Sequence, residues 1–344
     1  MQLTVDPRAW LIWAISALIV ASATRNPLYI VILVLTVSVV GTTHTETETR
    51  RQLLSPLRFA AVVVPLTALF NAAFMHFGET VLFRLPDWLP VLGGVVTLEA
   101  LVFGATNGLV LVAIFSSFAV FNGAVSGRDL TQLVPRAFYE TGVVLSIALS
   151  FLPQTTRSLQ RIREAQAIRG HRLRGLRDWP PIVVPLLING LERAMGLAEA
   201  MVARGYGAIV SKTQTLRTQV FVLVEILLIL GGCLTWLLVP GWRTAAVIAL
   251  ILGATGILGT VWLLGRSVHH TSYRPRSWTR FDTLIIAGCA VAVGLTLIPL
   301  PGIDRVSLPY SPYPRLSVPG FDPTIGLGML GLLVPAVPLL KSRE

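Results

Sequence analysis

Long apolar runs, separated by short polar breaks, constrain this chain more than any other feature of its sequence. A helix needs about 20 apolar residues to cross a bilayer, and residues 220–239 and 245–264 reach that length on either side of Pro240-Gly241. Other runs of spanning or near-spanning length cover 59–77, 92–125, 137–152, 281–300 and 325–340. Charged residues make up 13% of the chain, about half the share usual in soluble domains. The sequence therefore predicts an all-α, polytopic membrane protein.

The order of crossings is clearer in the second half of the chain than in the first. Runs 10–24 and 28–40 are each short for a span and predict a tight hairpin that turns at Asn26-Pro27. Basic residues mark the cytoplasmic side, so the loop 266–280 and the last residues are assigned to the cytoplasm, and the Pro-rich loop 301–323 to the outside. An inside N terminus with five simple early crossings would leave Pro153 outside. Either run 92–125 crosses twice, as a re-entrant piece plus a span, or one early segment does not span.

One hydrophilic insert stands between the membrane segments. Between residues 154 and 178 it holds two acidic residues against seven arginines, which are Arg157, Arg161, Arg163, Arg169, Arg172, Arg174 and Arg177. Because each charge costs a few kcal/mol in hydrocarbon, this segment is predicted to be cytoplasmic. The chain is thus predicted to comprise N-terminal membrane helices (1–152), cytoplasmic Arg-rich helices (153–217) and C-terminal membrane helices (218–344) with the Pro-rich loop 301–323.

Two matching motifs lie in this insert. Residues 164–170 read Glu-Ala-Gln-Ala-Ile-Arg-Gly, and residues 199–205 read Glu-Ala-Met-Val-Ala-Arg-Gly. A glycine directly after a helix readily takes the left-handed conformation that ends it, and the helix dipole favours an arginine just before it. Each motif therefore predicts a helix end that projects a guanidinium group, with its five donors, towards another surface. One such motif is common, but the pair in one hydrophilic insert indicates a function.

The residues before the second motif predict an amphipathic helix. An apolar stripe at helical spacing is formed by Leu187, Leu191, Ala194, Ala198 and Met201 or Val202. Arg193 and Arg204 are eleven residues apart, close to three turns, and so share a face. Small residues along the helix would let another helix approach closely. This helix is predicted to pack on one side and to present arginine at its tip.

At these motifs the chain resembles the EcfT/CbiQ-type transmembrane subunit of energy-coupling-factor transporters, over about residues 5–265. That family has two cytoplasmic coupling helices, each ending in an Ala-Arg-Gly-type motif. Ala203-Arg204-Gly205 matches the motif fully, whereas Ile168 stands where a small residue is usual before Arg169-Gly170. Three further segments also look similar to the family: Asp6-Pro7, Asn26-Pro27 and Phe151-Leu152-Pro153.

The resemblance implies a non-catalytic scaffold of the plasma membrane. Two ABC-type ATPase subunits would engage the coupling positions Arg169, Gly170, Ala203, Arg204 and Gly205, supported by Ala167, Arg193 and Ala200. Their ATP-driven motion would be passed to a membrane-embedded substrate-capture subunit, for uptake of a vitamin or of a transition-metal ion such as cobalt or nickel. The capture subunit would set the choice of substrate. Membrane lipid would surround the chain.

Other functional classes receive less support from the residues. An integral membrane enzyme acting on a lipid or isoprenoid substrate is the main alternative, but it would need an acidic metal cluster or an activated nucleophile, and the aspartates are scattered. A channel or secondary transporter would need polar residues at mid-membrane, which are sparse. Cys233 and Cys289 lie in apolar runs and predict no metal site and no cofactor. The aromatic residues lie mostly in membrane runs, which argues against nucleic acid as a partner.

Overall fold

The computed structural model describes residues 5–44, 56–85, 94–130, 133–134, 138–170, 175, 178–206, 216–266, 278–298, 302 and 304–337. These residues are predominantly helical, which confirms the predicted all-α membrane class. The chain forms two compact units, one made of Met1–Leu130 with Arg274–Glu344 and the other of Thr131–Tyr273. The three parts predicted from the sequence follow polarity rather than contacts, and their limits after residues 152 and 217 lie inside helices.

The helices follow one another along the whole chain. They are α1 (Pro7–Ala23), α2 (Pro27–His44), α3 (Pro56–Phe74), α4 (Leu98–Ala124), α5 (Gly127–Leu130), α6 (Tyr139–Ile168), α7 (Pro180–Ala203), α8 (Leu216–Leu238), α9 (Arg243–Arg266), α10 (Arg280–Leu297) and α11 (Pro323–Met329). Short 3-10 turns cover Pro240–Trp242, Arg305–Ser307 and Leu330–Ala336. By length and composition, six of the described helices could cross a membrane: α3, α4, α7, α8, α9 and α10.

A small antiparallel hairpin precedes α4. Its strands are β1 (Val81–Leu85) and β2 (Gly94–Thr97), where the sequence predicts a loop over 78–90 and a single apolar run over 92–125. The Thr97 hydroxyl accepts a hydrogen bond from the Ala100 amide, which caps the first turn of α4. The described part of this run, Gly94–Ala124, is therefore one strand followed by one helix of 27 residues, and not two crossings.

Helix α6 runs straight through the predicted boundary at Pro153. Its 30 residues join the apolar run 137–152 to the Arg-rich segment in one helix. The apolar part, Tyr139–Leu152, is about 21 Å long at 1.5 Å per residue, against a hydrocarbon core of about 30 Å. Helix α6 is not among the six described helices that could cross a membrane.

The first unit is built on close contacts between small residues. Gly104 and Gly108 of α4 have the GxxxG spacing, and a Cβ at either position would overlap atoms of α3, so the two backbones approach closely. A Cβ at Gly288 of α10 would likewise overlap the carbonyl oxygen of Gly331. The buried Trp13 indole donates a hydrogen bond to the Leu332 carbonyl oxygen at 2.8 Å. These contacts hold the C-terminal segment against α1 and α10.

The C-terminal segment differs from its prediction. The sequence predicts a last span over 325–340, but the helix is short and changes to a 3-10 turn that ends at Ala336. Together these two pieces are too short to cross a bilayer. Their buried side chains, Ile325, Met329 and Leu332, belong to the core of the first unit. Lys341 and Arg343, assigned above to the cytoplasm, lie outside the described residues.

The predicted turn at Asn26-Pro27 is confirmed, and it is tied to the Pro-rich loop. The buried Asn26 amide donates to the carbonyl oxygens of Ser307 at 2.8 Å and Gly320 at 2.6 Å. Arg315 of the same loop pairs with Glu79, just before β1. The α1–α2 turn, the β-hairpin and the Pro-rich loop therefore form one end of the first unit.

The opposite end of the first unit joins the starts of α1 and α10. The Asp6 amide donates to Asp282 Oδ1 at 2.9 Å, and Asp282 Oδ2 accepts from the Thr279 amide at 2.9 Å. Asp6 also caps α1 by accepting from the Arg8 amide. Asp282 is fully buried, so its hydrogen bonds replace the water that the carboxylate has lost.

Candidate functional site

Helix α6 ends at the first predicted motif. Arg169 occupies the cap position with φ −77°, and Gly170 follows with φ +81°. The Gly170 amide donates to the Ala167 carbonyl oxygen at 3.0 Å, which satisfies one of the carbonyl groups that a helix end leaves free. The predicted left-handed glycine is confirmed here.

Helix α7 ends at the second motif in the same way, with a more complete cap. Gly205 has φ +76°, and its amide donates to the Val202 carbonyl oxygen at 2.9 Å. The Tyr206 amide donates back to the Met201 carbonyl oxygen at 2.9 Å. This pair of hydrogen bonds is the Schellman motif. It places Arg204 at the last turn, as the sequence predicts.

Both helix ends are open. Arg169, Gly170, Ala203, Arg204 and Gly205 are all exposed. A Cβ on either glycine would meet nothing within 4 Å, so the glycines are required by their positive φ and not by crowding. Within the described part of the chain, neither guanidinium group has a hydrogen bond or an ion pair. The two arginines are therefore free to bind another molecule.

The supporting positions play local roles. The Ala167 carbonyl oxygen accepts the hydrogen bond that closes the first cap, and the Ala200 carbonyl oxygen accepts from the Arg204 amide at 3.3 Å. Arg193 is half-buried and lines a cleft between α6 and α7. It lies eleven residues before the open end that carries Arg204, about 16 Å along the helix at 1.5 Å per residue.

The two helices run antiparallel, which the sequence does not reveal. Gln166, near the end of α6, donates to the carbonyl oxygen of Pro181 at the start of α7 at 3.3 Å. Farther back along α6, Arg157 shares the cleft with Arg193. Helix α7 has 24 residues and is therefore about 36 Å long. Arg169 lies near its beginning and Arg204 at its end, so the two arginines are roughly 35 Å apart.

The apolar stripe of α7 is largely uncovered. Leu187 and Leu191 are each 65% exposed and Val202 is 72% exposed, whereas Ile182 is the buried contact at the start of the helix. The predicted packing face is thus not filled by the part of the chain that the structure describes. Because α7 is also apolar and long enough to cross a membrane, this face could contact either lipid or another protein.

The fold and the paired helix ends define a multi-pass helical membrane protein that displays two capped arginines on adjoining helices. A family model described as CbiQ, a cobalt transport protein, matches residues 2–216. Because this match covers more than half of the sequence, the chain belongs to the CbiQ family. The match includes both Arg-Gly motifs and ends near the start of α8, short of residue 265.

Curated relatives agree with the family. The energy-coupling factor transporter transmembrane protein EcfT of Exiguobacterium sibiricum is 33% identical over 109 residues, which are 28% of this chain and 41% of that protein. The EcfT of Staphylococcus aureus is 30% identical over 132 residues, 31% of this chain and 49% of that protein. The EcfT of Bacillus selenitireducens is 28% identical over 217 residues, 58% of this chain and 78% of that protein. The chain thus spans less than half the length of the first two relatives.

Proposed function

We propose that this chain is the non-catalytic membrane scaffold of an energy-coupling-factor importer. Arg169 and Arg204 would each bind one of two ABC-type ATPase subunits, and the α6–α7 pair would pass their motion to a membrane-embedded substrate-capture subunit. The observation that carries the proposal is the pair of matching helix ends, each an exposed arginine followed by a left-handed glycine.

The separation of the two ends supports two partners rather than one. Antiparallel packing puts Arg169 and Arg204 roughly 35 Å apart, which is slightly more than the diameter of a small domain. A single small binding site could not hold both guanidinium groups. Each end instead suits a carboxylate or carbonyl group on a separate protein surface.

The distribution of charge supports a cytoplasmic location for the Arg-rich half of α6, because arginine is costly in hydrocarbon and prefers the cytoplasmic side of a membrane. Helix α7 packs against this half of α6 through the hydrogen bond from Gln166 to Pro181 and would lie on the same side. Its length and composition would also allow α7 to cross a membrane, so the assignment to the cytoplasm depends on its contact with α6.

The uncovered stripe of α7 supports a membrane-embedded partner. Leu187, Leu191 and Val202 offer apolar contact, and the small side chains between them would permit a close approach by another helix. We assign this face to the capture subunit, which would recognise the vitamin or transition-metal ion. The substrate is therefore a property of that subunit and not of this chain.

Affinity purification tests the proposal. The tagged chain, extracted from its own cells in mild detergent, should recover two ABC-type ATPases. The double variant Arg169→Ala/Arg204→Ala should lose them, while Arg163→Ala, which removes an exposed arginine elsewhere on α6, should retain them. Full recovery by the double variant, or absence of ATPases from the unaltered chain, would refute the coupling role.

A further inference from the structure

A cleft between α6 and α7 carries a concentration of positive charge that the coupling role does not use. It is lined by Gln154, Arg157, Gln160, Arg161, Glu164 and Arg193. Three arginines and one glutamate leave two net positive charges in one open cleft. Glutamine side chains add amide donors that can bind an anion.

The arginines of the cleft are not neutralised by the chain itself. Within the described residues, no carboxylate forms an ion pair with Arg157, Arg161 or Arg193. The hydrogen bond found for these side chains joins Arg161 to the Ser158 hydroxyl at 3.4 Å. Like charges held together without a counter-ion repel one another, so an anion bound between them would be favoured.

The spacing of the residues shows that the cleft is a feature of the helix pair. Arg157, Arg161 and Glu164 recur on one face of α6 at helical spacing, and Arg193 reaches the same cleft from α7. Arg163 lies on another face of α6 and does not line the cleft. Guanidinium groups from two helices can bind one phosphate group from two sides.

The position of the cleft along α6 indicates where the phosphate comes from. The apolar part of α6 ends at Leu152, and its side chains, such as Val144 (65% exposed) and Leu152 (62%), are uncovered in the described chain. Arg157 follows by five residues and Arg161 by nine, which is about 8 and 14 Å from the apolar boundary along the helix. The polar layer of a bilayer extends about 5–8 Å beyond the hydrocarbon core. A lipid phosphate therefore lies within reach of the Arg157 end of the cleft.

We propose that the cleft between α6 and α7 binds the phosphate group of an anionic membrane phospholipid. The lipid would bridge the two helices and anchor the pair at the membrane surface. Glu164 would weaken this binding, because its carboxylate faces the same anion. The site is separate from the helix ends that carry Arg169 and Arg204.

Binding can be measured on the purified chain in mild detergent, without any partner subunit. Phosphatidylglycerol, phosphatidylcholine and inorganic phosphate serve as three probes, and tryptophan fluorescence or the thermal midpoint reports binding. Phosphatidylglycerol should bind in a salt-dependent manner, and phosphatidylcholine should not. An equal response to inorganic phosphate at the same concentration would overturn the assignment to a lipid.

Three variants of α6 locate the site. Arg157→Gln should weaken phosphatidylglycerol binding about tenfold, since one charge-assisted contact is lost. Arg163→Gln removes the same charge outside the cleft and should change binding less than about twofold. Glu164→Gln should tighten binding, a gain that an unfolded variant could not produce.

Equal weakening by Arg157→Gln and Arg163→Gln would overturn the proposal, because binding would then follow net charge alone. So would an Arg157→Gln variant that binds phosphatidylglycerol normally but loses the ATPases, since the cleft would then be a protein contact. A negative result with lipid leaves the coupling role at the helix ends unaffected.

Discussion

Replacing Gly205 with valine tests how Arg204 is positioned. Gly205 has φ +76°, a conformation that costs other residues roughly 1–2 kcal/mol and is least accessible to β-branched side chains. A Cβ at this position meets nothing within 4 Å, so the whole cost is conformational. At 1.4 kcal/mol for each factor of ten, valine should reduce the capped population about tenfold. Asparagine tolerates this conformation and should reduce it less.

The helix cap at Gly205 can be followed in two ways, by hydrogen exchange of the chain alone and by recovery of the ATPase subunits. Loss of the Schellman motif frees the Gly205 and Tyr206 amides, whose hydrogen bonds to Val202 and Met201 are 2.9 Å long. Hydrogen exchange at these two amides should therefore accelerate about tenfold in Gly205→Val. Recovery of the ATPases should also decrease, although Arg204 is unchanged. It should be highest for the unaltered chain, lower for Gly205→Asn and lowest for Gly205→Val.

A matched control separates the cap from the added volume. Gly231 lies inside α8, has no positive φ, and also has open space at its Cβ position. Gly231→Val should leave the exchange of the Gly205 and Tyr206 amides and the recovery of the ATPases unchanged. If Gly205→Val matches the unaltered chain in both measurements, the glycine is incidental, and a helix cap does not position Arg204.

Three further changes test the helix ends and the first unit. Arg169→Ala or Arg204→Ala should lower substrate uptake in cells, and the double variant should lower it further, with membrane insertion unchanged in fractionated cells. Asn26→Ala should destabilise the chain by about 2 kcal/mol, because buried carbonyl groups lose their donor, whereas the exposed Asn122→Ala should change the thermal midpoint little. Asp282→Ala removes the buried carboxylate that completes the capping box of α10 and should cost about 1–2 kcal/mol, read from thermal unfolding in detergent.

Each of these predictions has a contrary result. Normal uptake by the double arginine variant would remove the helix ends from the mechanism. Equal thermal midpoints for Asn26→Ala and Asn122→Ala would mean that the Pro-rich loop does not depend on the Asn26 amide. An unchanged midpoint for Asp282→Ala would show that the starts of α1 and α10 are held together by apolar packing alone.

Structural features that depend on adjacent residues could be predicted from the sequence. The left-handed glycines at positions 170 and 205 follow from an arginine and a helix-compatible stretch directly before them, because a helix end is governed by local hydrogen bonds. The turn at Asn26-Pro27 is a similar case, since proline fixes its own φ and suits the first position of a helix. The membrane class follows from apolar length alone.

Pro153 shows where such local reasoning fails. Proline in a helix interior removes one hydrogen bond and costs about 3 kcal/mol, which makes a helix boundary the natural prediction. Helix α6 nevertheless continues to Ile168, where it packs against α7 and buries Ser158 and Ile182. The tertiary contacts of the helix pair offset the free-energy cost of the proline. No sequence pattern near Pro153 predicts these contacts.

The sequence by itself determined that this is a membrane protein and that two helices end in Arg-Gly motifs. It also determined that the glycines of these motifs take the left-handed conformation. The tertiary structure alone decided that α6 and α7 run antiparallel and hold Arg169 and Arg204 far apart. It also decided that the Asn26 amide donates two hydrogen bonds to the Pro-rich loop, to carbonyl oxygens almost 300 residues later in the chain. Composition and helix capping depend on adjacent residues, whereas these arrangements depend on contacts between residues that only folding brings together.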